Sequence, residues 1–270
     1  MAELLLGAPV ADKIYNELLA WDKPLRLVTL GFNNPQWQQY VSALTKSGQK
    51  CRVTVENVNA EGKTPAEFCQ LIEEVCARDD VCGVMLQQPL PAEYAFATAH
   101  IAAEKDVDCI SELSVAKLYR GAANFMPATP LAVLQLLDFY NVDLCGKNVV
   151  IVGRGNAVGK PLALMCLARN ATVTVCHTKT RNLAEVCRSA DVIISACGVA
   201  NLLTREFVTA NSVVVDVGLS FVDGKTRGDV ADEVQTIAKA VSPVPGGVGP
   251  VTRAALFSNL LKAAKSNNIR

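Results

Sequence analysis

The first half of the chain alternates short continuous hydrophobic runs with longer segments that carry a hydrophobic residue every three or four positions. The short runs predict buried strands, and the longer segments predict amphipathic helices. The predicted strands are Leu25–Leu30, Cys51–Val58 and Val81–Leu86. The predicted helices are Val10–Trp21, Gln36–Ser47, which Gly48 closes, and Pro65–Arg78. Strand and helix alternation at this spacing predicts a parallel sheet.

A loop-rich segment from Lys105 to Pro130 follows, and we expect it to cross between two domains. The alternation then restarts, and its elements run to the end of the chain. They are a helix at Leu131–Tyr140, strands at Asn148–Val152, Ala171–Cys176, Asp191–Ala196, Ser212–Val217 and Ala240–Pro243, and a closing helix at Thr252–Ser266. Continuous apolar strands are typical of a parallel sheet covered by helices on both faces. The whole pattern predicts an α/β fold.

The composition narrows the class of protein. A length of 270 residues indicates about two domains. Hydrophobic residues make up 50% and charged residues 19%, which is enough apolar material for packed cores. The net charge of zero argues against a nucleic-acid-binding protein, because such proteins neutralise phosphates with a basic surface. No run approaches the length of a membrane span and the first residues lack a basic leader, so we expect a soluble cytoplasmic protein without membrane partners.

The ten cysteines do not predict a metal site. No two of them have the Cys-x-x-Cys spacing that zinc and redox motifs use. Cys145, Cys176 and Cys197 lie in or beside apolar runs, where a thiol acts as a small hydrophobic group. We therefore expect reduced thiols and no bound metal.

A glycine-rich turn follows the predicted strand Asn148–Val152. The turn, Gly153–Pro161 (GRGNAVGKP), leads into an apolar helix. A strand, a glycine turn and a helix in this order form the context of a dinucleotide-binding site, in which the pyrophosphate lies at the helix N-terminus. The last glycine comes one residue later than in the common motif, and a plain tight turn is the alternative. The strands that follow favour a Rossmann domain.

The residues after the second strand of this domain favour NADP over NAD. An acidic residue usually binds the ribose hydroxyls of NAD at that point. Here the sequence continues without an acid until Glu185, and it contains several groups suited to a 2′-phosphate. These groups are Arg154, Thr178, Lys179 and Arg181. The alternative is that Lys179 and Arg181 are only solvated loop charges.

Three residues of the first half are candidates for the other side of the site, since ligands bind beyond the carboxyl ends of parallel strands. They are Tyr40, Gln87 and Asp108. Each also has a purely structural explanation: a core aromatic, a strand cap and a turn residue, respectively.

Taken together, the motifs resemble those of the methylenetetrahydrofolate dehydrogenase/cyclohydrolase family. The matching segments occur in order along almost the whole chain, and Pro243–Thr252 (PVPGGVGPVT) is the most specific. The others are Tyr40-Val41, Gln87–Pro91, Lys105–Asp108, Pro127–Pro130, Gly153–Pro161 and Asp216–Gly218.

The resemblance implies an α/β enzyme of two lobes with a folate cleft between them. The smaller, parallel-sheet catalytic lobe would comprise residues 1–125, completed by the closing helix at 252–270, and the Rossmann-type NADP-binding domain would comprise 126–251. By this likeness Tyr40 stacks on the folate rings, Gln87 lies beside the one-carbon unit and Asp108 holds the pterin. The substrate side would also be lined by Pro245, Gly246, Gly247, Val248 and Gly249. The NADP contacts implied are Gly153, Arg154, Gly155, Gly159, His177, Thr178, Cys197, Gly198, Gly218 and Leu219.

The resemblance also implies a tetrahydrofolate substrate and a cytoplasmic homodimer, formed mainly through the Rossmann lobe, that serves one-carbon metabolism and purine biosynthesis.

The chain departs from the family at its lysine for cyclohydrolase chemistry. The family has Tyr-Val-x-x-Lys, and this chain has Leu44 at the lysine position. Lys46 is two residues further, about 200° around a helix, and so faces elsewhere. The family's Asn-Pro-Ala-Ser is also replaced, so that Trp37 stands at the serine position, and Cys109 replaces the glycine after Asp108.

Hydride transfer chiefly needs positioning, whereas hydrolysis of the methenyl product needs a general acid or base. The sequence therefore predicts NADP-dependent oxidation of 5,10-methylenetetrahydrofolate, with cyclohydrolase activity lost or weak. One alternative is a bifunctional enzyme that uses another lysine, such as Lys50. Another is a non-catalytic paralogue that binds folate and NADP.

Overall fold

The computed structural model describes residues 1–222 and 224–266. The described chain divides into two compact units. The three-stranded unit contains residues 13–128 and 253–266, and the six-stranded unit contains residues 1–12 and 129–252. The sequence-based division had placed residues 1–12 in the first lobe. Those residues instead extend the larger sheet, because Glu3 and Leu4 pair in parallel with Ala240 and Val241.

The three-stranded unit has a parallel sheet in the order β3-β2-β4. Its strands are β2 (Leu25–Gly31), β3 (Val53–Asn59) and β4 (Gly83–Leu86). Its core packs side chains of the sheet against the helix Pro65–Ala77, with Phe68 and Ile72 fully buried. The helices that contribute to this unit are α1 (Gly7–Leu19), α2 (Pro35–Lys50), α3 (Pro65–Ala77), α4 (Glu112–Tyr119) and α8 (Val248–Ser266).

Side chains cap α2, which carries Tyr40, and α3, which packs on the sheet. Asn34 Oδ1 accepts hydrogen bonds from the amides of Gln36 and Trp37 at the start of α2, where Pro35 fits the first turn. Thr64 and Glu67 form a reciprocal capping box on α3. These local interactions fix the first residue of each helix, Pro35 for α2 and Pro65 for α3.

The six-stranded unit has a parallel sheet in the order β1-β11-β8-β7-β5-β6. This is a doubly wound arrangement, in which β5 lies at the centre of the nucleotide-binding motif. The strands are β1 (Glu3–Leu4), β5 (Asn148–Val152), β6 (Thr172–Cys176), β7 (Val192–Ser195), β8 (Val213–Asp216) and β11 (Ala240–Val241). The helices are α5 (Ala128–Phe139), α6 (Gly159–Leu167) and α7 (Leu183–Arg188), and β9 (Ser220–Val222) pairs antiparallel with β10 (Lys225–Arg227).

The predicted end of α2 is wrong in detail. Gly48 does not close α2, which continues to Lys50. A Cβ at Gly48 would lie 2.6 Å from the Val53 carbonyl oxygen, so the glycine permits close helix–strand packing. The loop-rich segment 105–130 contains one helix that was not predicted, α4, with Ser111 as its cap.

Seven of the ten cysteines are buried and all are free, whereas Cys145 is exposed rather than part of a core. Among the described helices, none combines the length and hydropathy that a membrane span requires.

Candidate active site

Tyr40 lies on α2, one turn after Trp37. The two rings stack with centroids 6.0 Å apart and planes 19° from parallel. Tyr40 is partly buried. Burial raises the pKa of its hydroxyl well above the ordinary value, the Asp108 charge raises it further, and the Arg253 charge lowers it. Tyr40 therefore stays a neutral phenol that can donate a hydrogen bond.

Gln87 follows β4 and joins the ends of two neighbouring strands. Its side-chain oxygen accepts a hydrogen bond from the Phe32 amide at 2.9 Å, just past the end of β2. A Cβ at Gly31 would lie 2.4 Å from Trp37 Nε1 and 2.9 Å from Gln87 Oε1. Only glycine at position 31 leaves room for both side chains, so Tyr40, Trp37 and Gln87 form one cluster.

Asp108 lies at the amino end of α5, where its carboxylate accepts a hydrogen bond from the Ala128 amide at 3.1 Å. Burial raises the pKa of Asp108 from 3.8 to about 7, opposed by the Ala128 hydrogen bond and reinforced by the Asp106 charge. A carboxyl group that titrates near neutrality is typical of a functional site. It can change its protonation state in the physiological range.

The loop that carries Asp108 is held by two residues that the sequence analysis did not single out. Asp106 is fully buried and accepts hydrogen bonds from the Ile110 and Ser111 amides and the Ser111 hydroxyl. Asn259, on α8, donates to the carbonyl oxygens of Val107 at 2.8 Å and Met126 at 2.7 Å. The closing helix therefore fixes the position of Asp108.

Leu44 lies one turn after Tyr40 on α2 and is fully buried. Position 44 is thus filled by an apolar side chain within the packed part of the unit. Lys46 and Lys50, on the same helix, are both exposed. Ser47 is buried and accepts a hydrogen bond from Arg253 Nε at 3.0 Å. Sequence reasoning missed Arg253, since it lies 206 residues from Ser47.

In the six-stranded unit the predicted pyrophosphate turn has the backbone that a dinucleotide needs. Gly153 has φ +126°, and a Cβ there would lie 2.3 Å from the Ala196 carbonyl oxygen. A Cβ at Gly159 would lie 2.1 Å from the Gly153 oxygen, whereas Gly155 faces open space. No side chain caps α6. The Lys160 amide donates to the Gly155 carbonyl oxygen at 3.1 Å and Pro161 has no N–H, so the fit to a dinucleotide pyrophosphate rests on the glycine backbone and the positive end of the helix.

The loop after β6 carries the predicted ribose contacts. The His177 amide donates to Thr180 Oγ1 at 2.9 Å, and the Lys179 amide donates to His177 Nδ1 at 3.1 Å. Thr178 and Lys179 are exposed. Arg154, on the pyrophosphate turn, is exposed as well. The loop is therefore ordered, with polar and basic groups accessible to a ligand.

Two buried carboxylates hold the other predicted cofactor loops. Asp229 accepts hydrogen bonds from the Ser195 hydroxyl and from the amides of Cys197, Gly198 and Val199. Sequence analysis missed this residue.

Asp216 accepts hydrogen bonds from the amides of Gly218, Asp229 and Val230. Burial raises the pKa of Asp216 to about 6, although these amide hydrogen bonds lower it. A Cβ at Gly218 would lie 2.0 Å from Asp229, so the two loops touch there. Leu219 follows and is exposed.

The segment Pro245–Gly249 belongs to the same unit. Its conformation depends on glycine, because Gly246 has φ +111° and a Cβ at Gly7 would lie 1.9 Å from the Gly247 oxygen. The Gly7 amide donates to the Gly246 oxygen at 2.8 Å, and the Gly247 amide donates to the Pro243 oxygen at 2.7 Å. Val248 begins α8 and is buried. The loop is therefore fixed from both sides.

Comparison with known proteins decides the family. Residues 5–108 match the catalytic domain of tetrahydrofolate dehydrogenase/cyclohydrolase, and residues 127–268 match the NAD(P)-binding domain of the same family. The chain belongs to the tetrahydrofolate dehydrogenase/cyclohydrolase family. This confirms the resemblance that the motifs indicated, the two-domain α/β fold and the prediction that the chain is an enzyme. Tyr40, Gln87 and Asp108 lie within the first match, and the glycine turn and Pro245–Gly249 lie within the second.

Individual relatives are similar over nearly their whole length. A bifunctional protein FolD of Clostridium perfringens (strain SM101) is 50% identical over 97% of this chain and 99% of its own. The crystal structure of a bifunctional FolD from Campylobacter jejuni has a TM-score of 0.93 at 38% identity, covering 98% of this chain and 99% of that one. The Trypanosoma brucei enzyme, solved with NADP and an inhibitor, has a TM-score of 0.90 at 30% identity, covering 100% and 99%.

Proposed function

We propose that the enzyme oxidises 5,10-methylenetetrahydrofolate to 5,10-methenyltetrahydrofolate with NADP, and that hydrolysis of the methenyl product is lost or weak. The observation that carries the proposal is Leu44, an apolar and fully buried residue one turn from Tyr40. The groups suited to positioning a folate, Tyr40, Gln87 and Asp108, are retained. The group suited to exchanging a proton is not at this position.

Each positioning group has a role that follows from its surroundings. Tyr40 has one ring face stacked on Trp37 and offers the other to the flat ring system of the substrate. Gln87 is held rigidly by Phe32 and places its amide group beside the one-carbon unit. Asp108, when ionised, accepts hydrogen bonds from the pterin nitrogens. These contacts orient the methylene carbon, and positioning is the main requirement of the reaction.

The chemistry of oxidation makes few demands on acid–base groups. The methylene carbon loses a hydride, and the electron pair of a substrate nitrogen forms the new carbon–nitrogen double bond. NADP held by the glycine turn Gly153–Gly159 would supply the acceptor for that hydride. No proton has to be transferred to or from the protein in this step, so Leu44 does not obstruct it.

Hydrolysis of the methenyl group differs, because water must add to the carbon while protons move between water and the substrate nitrogens. A general acid or base contributes about 10²–10⁴-fold to such steps. The Leu44 side chain can act as neither an acid nor a base. Lys46 and Lys50 are exposed on α2, which argues against either as a replacement base.

The choice of NADP rests on the loop after β6. The sequence from His177 has no acid before Glu185, which leaves the ribose of NAD without its usual acceptor. Arg154 and Lys179 are exposed and available to a 2′-phosphate. The similar Trypanosoma brucei enzyme was solved with NADP.

One experiment tests the proposal. The purified protein is mixed with methylenetetrahydrofolate and NADP, and NADPH formation and methenyl absorbance are followed in parallel. We expect both signals to rise together and the methenyl signal to decay no faster than in buffer. Enzyme-dependent decay of added methenyltetrahydrofolate would identify a bifunctional enzyme. Absence of NADPH would identify a non-catalytic binding protein.

We further propose a cytoplasmic homodimer that serves purine biosynthesis, formed mainly through the six-stranded unit, without nucleic-acid or membrane partners. That unit exposes the apolar side chains of Val199 and Phe221, which an interface would remove from water. A monomeric mass by light scattering at micromolar concentration would contradict the dimer.

A further inference from the structure

One face of α2 presents three residues in a row near the proposed folate site. Tyr40, Leu44 and Ser47 are spaced by four and three residues, so their side chains leave the helix on the same side. The row is two turns long, about 10 Å at 1.5 Å per residue. Leu44 is its middle member and occupies the position at which the family resemblance places lysine.

Arg253 reaches this row from α8. Its Nε donates a hydrogen bond to Ser47 Oγ at 3.0 Å, which fixes the guanidinium at one end of the row. Its charge lowers the pKa of the Tyr40 hydroxyl at the other end. Ser47 lies one turn from Leu44 on the same face of α2, so a guanidinium bonded to Ser47 is within one helical turn of the middle position. In the part of the chain that the structure describes, Ser47 is its hydrogen-bond partner, and no carboxylate forms an ion pair with it.

We propose that Arg253 is the resident cation of the folate site, brought from α8 to the place on α2 where Leu44 stands, and that it acts as a positioning residue for Tyr40. This inference rests on the proposed function. A guanidinium donates hydrogen bonds and carries a fixed charge but does not release its proton under physiological conditions. Arg253 therefore supplies the charge of a lysine at this place without its proton transfer.

A charge-coupling experiment tests the placement without any assay of activity. Leu44→Glu and Leu44→Lys are each made in the wild type and in Arg253→Met, and the melting temperatures are compared. With Arg253 present, Leu44→Glu should melt above Leu44→Lys. In the Arg253→Met background that difference should shrink by about 2–4 °C or more, the shift that roughly 1 kcal/mol produces in a protein of this size. An unchanged difference would show that Arg253 does not lie beside position 44.

Kinetic measurements on variants that keep Leu44 test whether Arg253 positions Tyr40. These measurements do not depend on whether the charged Leu44 variants fold. Arg253→Met should lower kcat/KM for methylenetetrahydrofolate about tenfold, the loss expected for one charge-assisted interaction. Arg253→Lys should recover most of that loss. Lys262→Met, which removes a charge elsewhere on α8, is the matched control and should leave kcat/KM unchanged.

A purely structural link between α8 and α2 predicts a different result. Ser47→Ala and Arg253→Met would then lower the melting temperature equally, and kcat/KM per folded molecule would stay at the wild-type value in both. That outcome would overturn the proposal. If the wild type itself forms no NADPH, the proposed function fails, while the melting-temperature comparison still decides where Arg253 lies.

Discussion

Replacing Asp108 with asparagine should stabilise the protein at alkaline pH while removing its activity. Asparagine has the same shape, and its side-chain oxygen can still accept the hydrogen bond from the Ala128 amide. What it lacks is a charge. Burial raises the pKa of Asp108 from 3.8 to about 7, so ionising this carboxyl opposes folding.

The size of the effect follows from that pKa. A rise from 3.8 to about 7 corresponds to about 4 kcal/mol at roughly 1.4 kcal/mol per pH unit. Because Asp108 keeps some contact with solvent, we expect about half of this, or about 2 kcal/mol. The carboxyl group is protonated in both states below pH 3.8, and it is ionised in both well above pH 7. The wild type therefore loses this stability progressively as the pH rises between these values.

Urea unfolding of wild type and Asp108→Asn at pH 5 and pH 8 measures the effect. The free energy of unfolding of Asp108→Asn should exceed that of the wild type slightly at pH 5, and this excess should be about 1–2 kcal/mol larger at pH 8. Asp22→Asn, at an exposed position in the same unit, is the control for the change in net charge. The same carboxylate should bind the pterin only when ionised, so wild-type kcat/KM should rise through pH 7. A gain that is equal at both pH values would refute the reasoning.

Three further predictions concern single side chains. Arg154→Ala should lower kcat/KM with NADP about tenfold, because one charge-assisted contact to the 2′-phosphate is lost. The value with NAD should stay nearly unchanged. Equal losses with both cofactors would argue against a 2′-phosphate contact. Asp229→Asn should lower the free energy of unfolding, measured by a denaturation curve, by about 2 kcal/mol. The reason is that the side-chain NH₂ of asparagine cannot accept the backbone hydrogen bonds that the carboxylate accepts. Trp37→Phe removes a buried indole N–H that has no hydrogen-bond partner among the described residues, so it should be neutral or stabilising by about 1 kcal/mol in the same measurement. A clear loss of stability would show that this N–H has a partner in solution.

The sequence predicts the strand, glycine turn and helix around Gly153 well because every part of this segment is local. The strand before Gly153, the glycines and the helix that begins at Gly159 follow one another directly, and the steric need for glycine can be inferred from the motif. Tyr40, Gln87 and Asp108 needed the family resemblance, since each residue alone is equally consistent with a structural role.

The features that the sequence did not predict depend on contacts between distant residues. Asp229 lies 32 residues from Cys197, and Arg253 lies 206 residues from Ser47. No periodicity or spacing connects such pairs. The prediction at Gly48 failed for a different reason. A glycine that is needed for close packing on β3 looks the same in the sequence as a glycine that ends a helix. For α4 a signal was present, since Ser111 caps the helix and Glu112 lies in its first turn.

The energetics of the proposed site bear on whether it still binds folate. Ionised Asp108 destabilises the fold at neutral pH, and asparagine would fill the same place without that penalty. The site thus retains a carboxyl group that lowers stability and can be explained by pterin binding. At position 44, in contrast, the side chain is apolar and packed, which stabilises the fold and removes a proton-transfer group. A site that no longer bound folate would be expected to relax toward stability at both positions. Relaxation at Leu44 alone fits the proposal that folate binding is retained and a proton-transfer group is lost, and NADPH formation then separates an enzyme from a folate-binding protein.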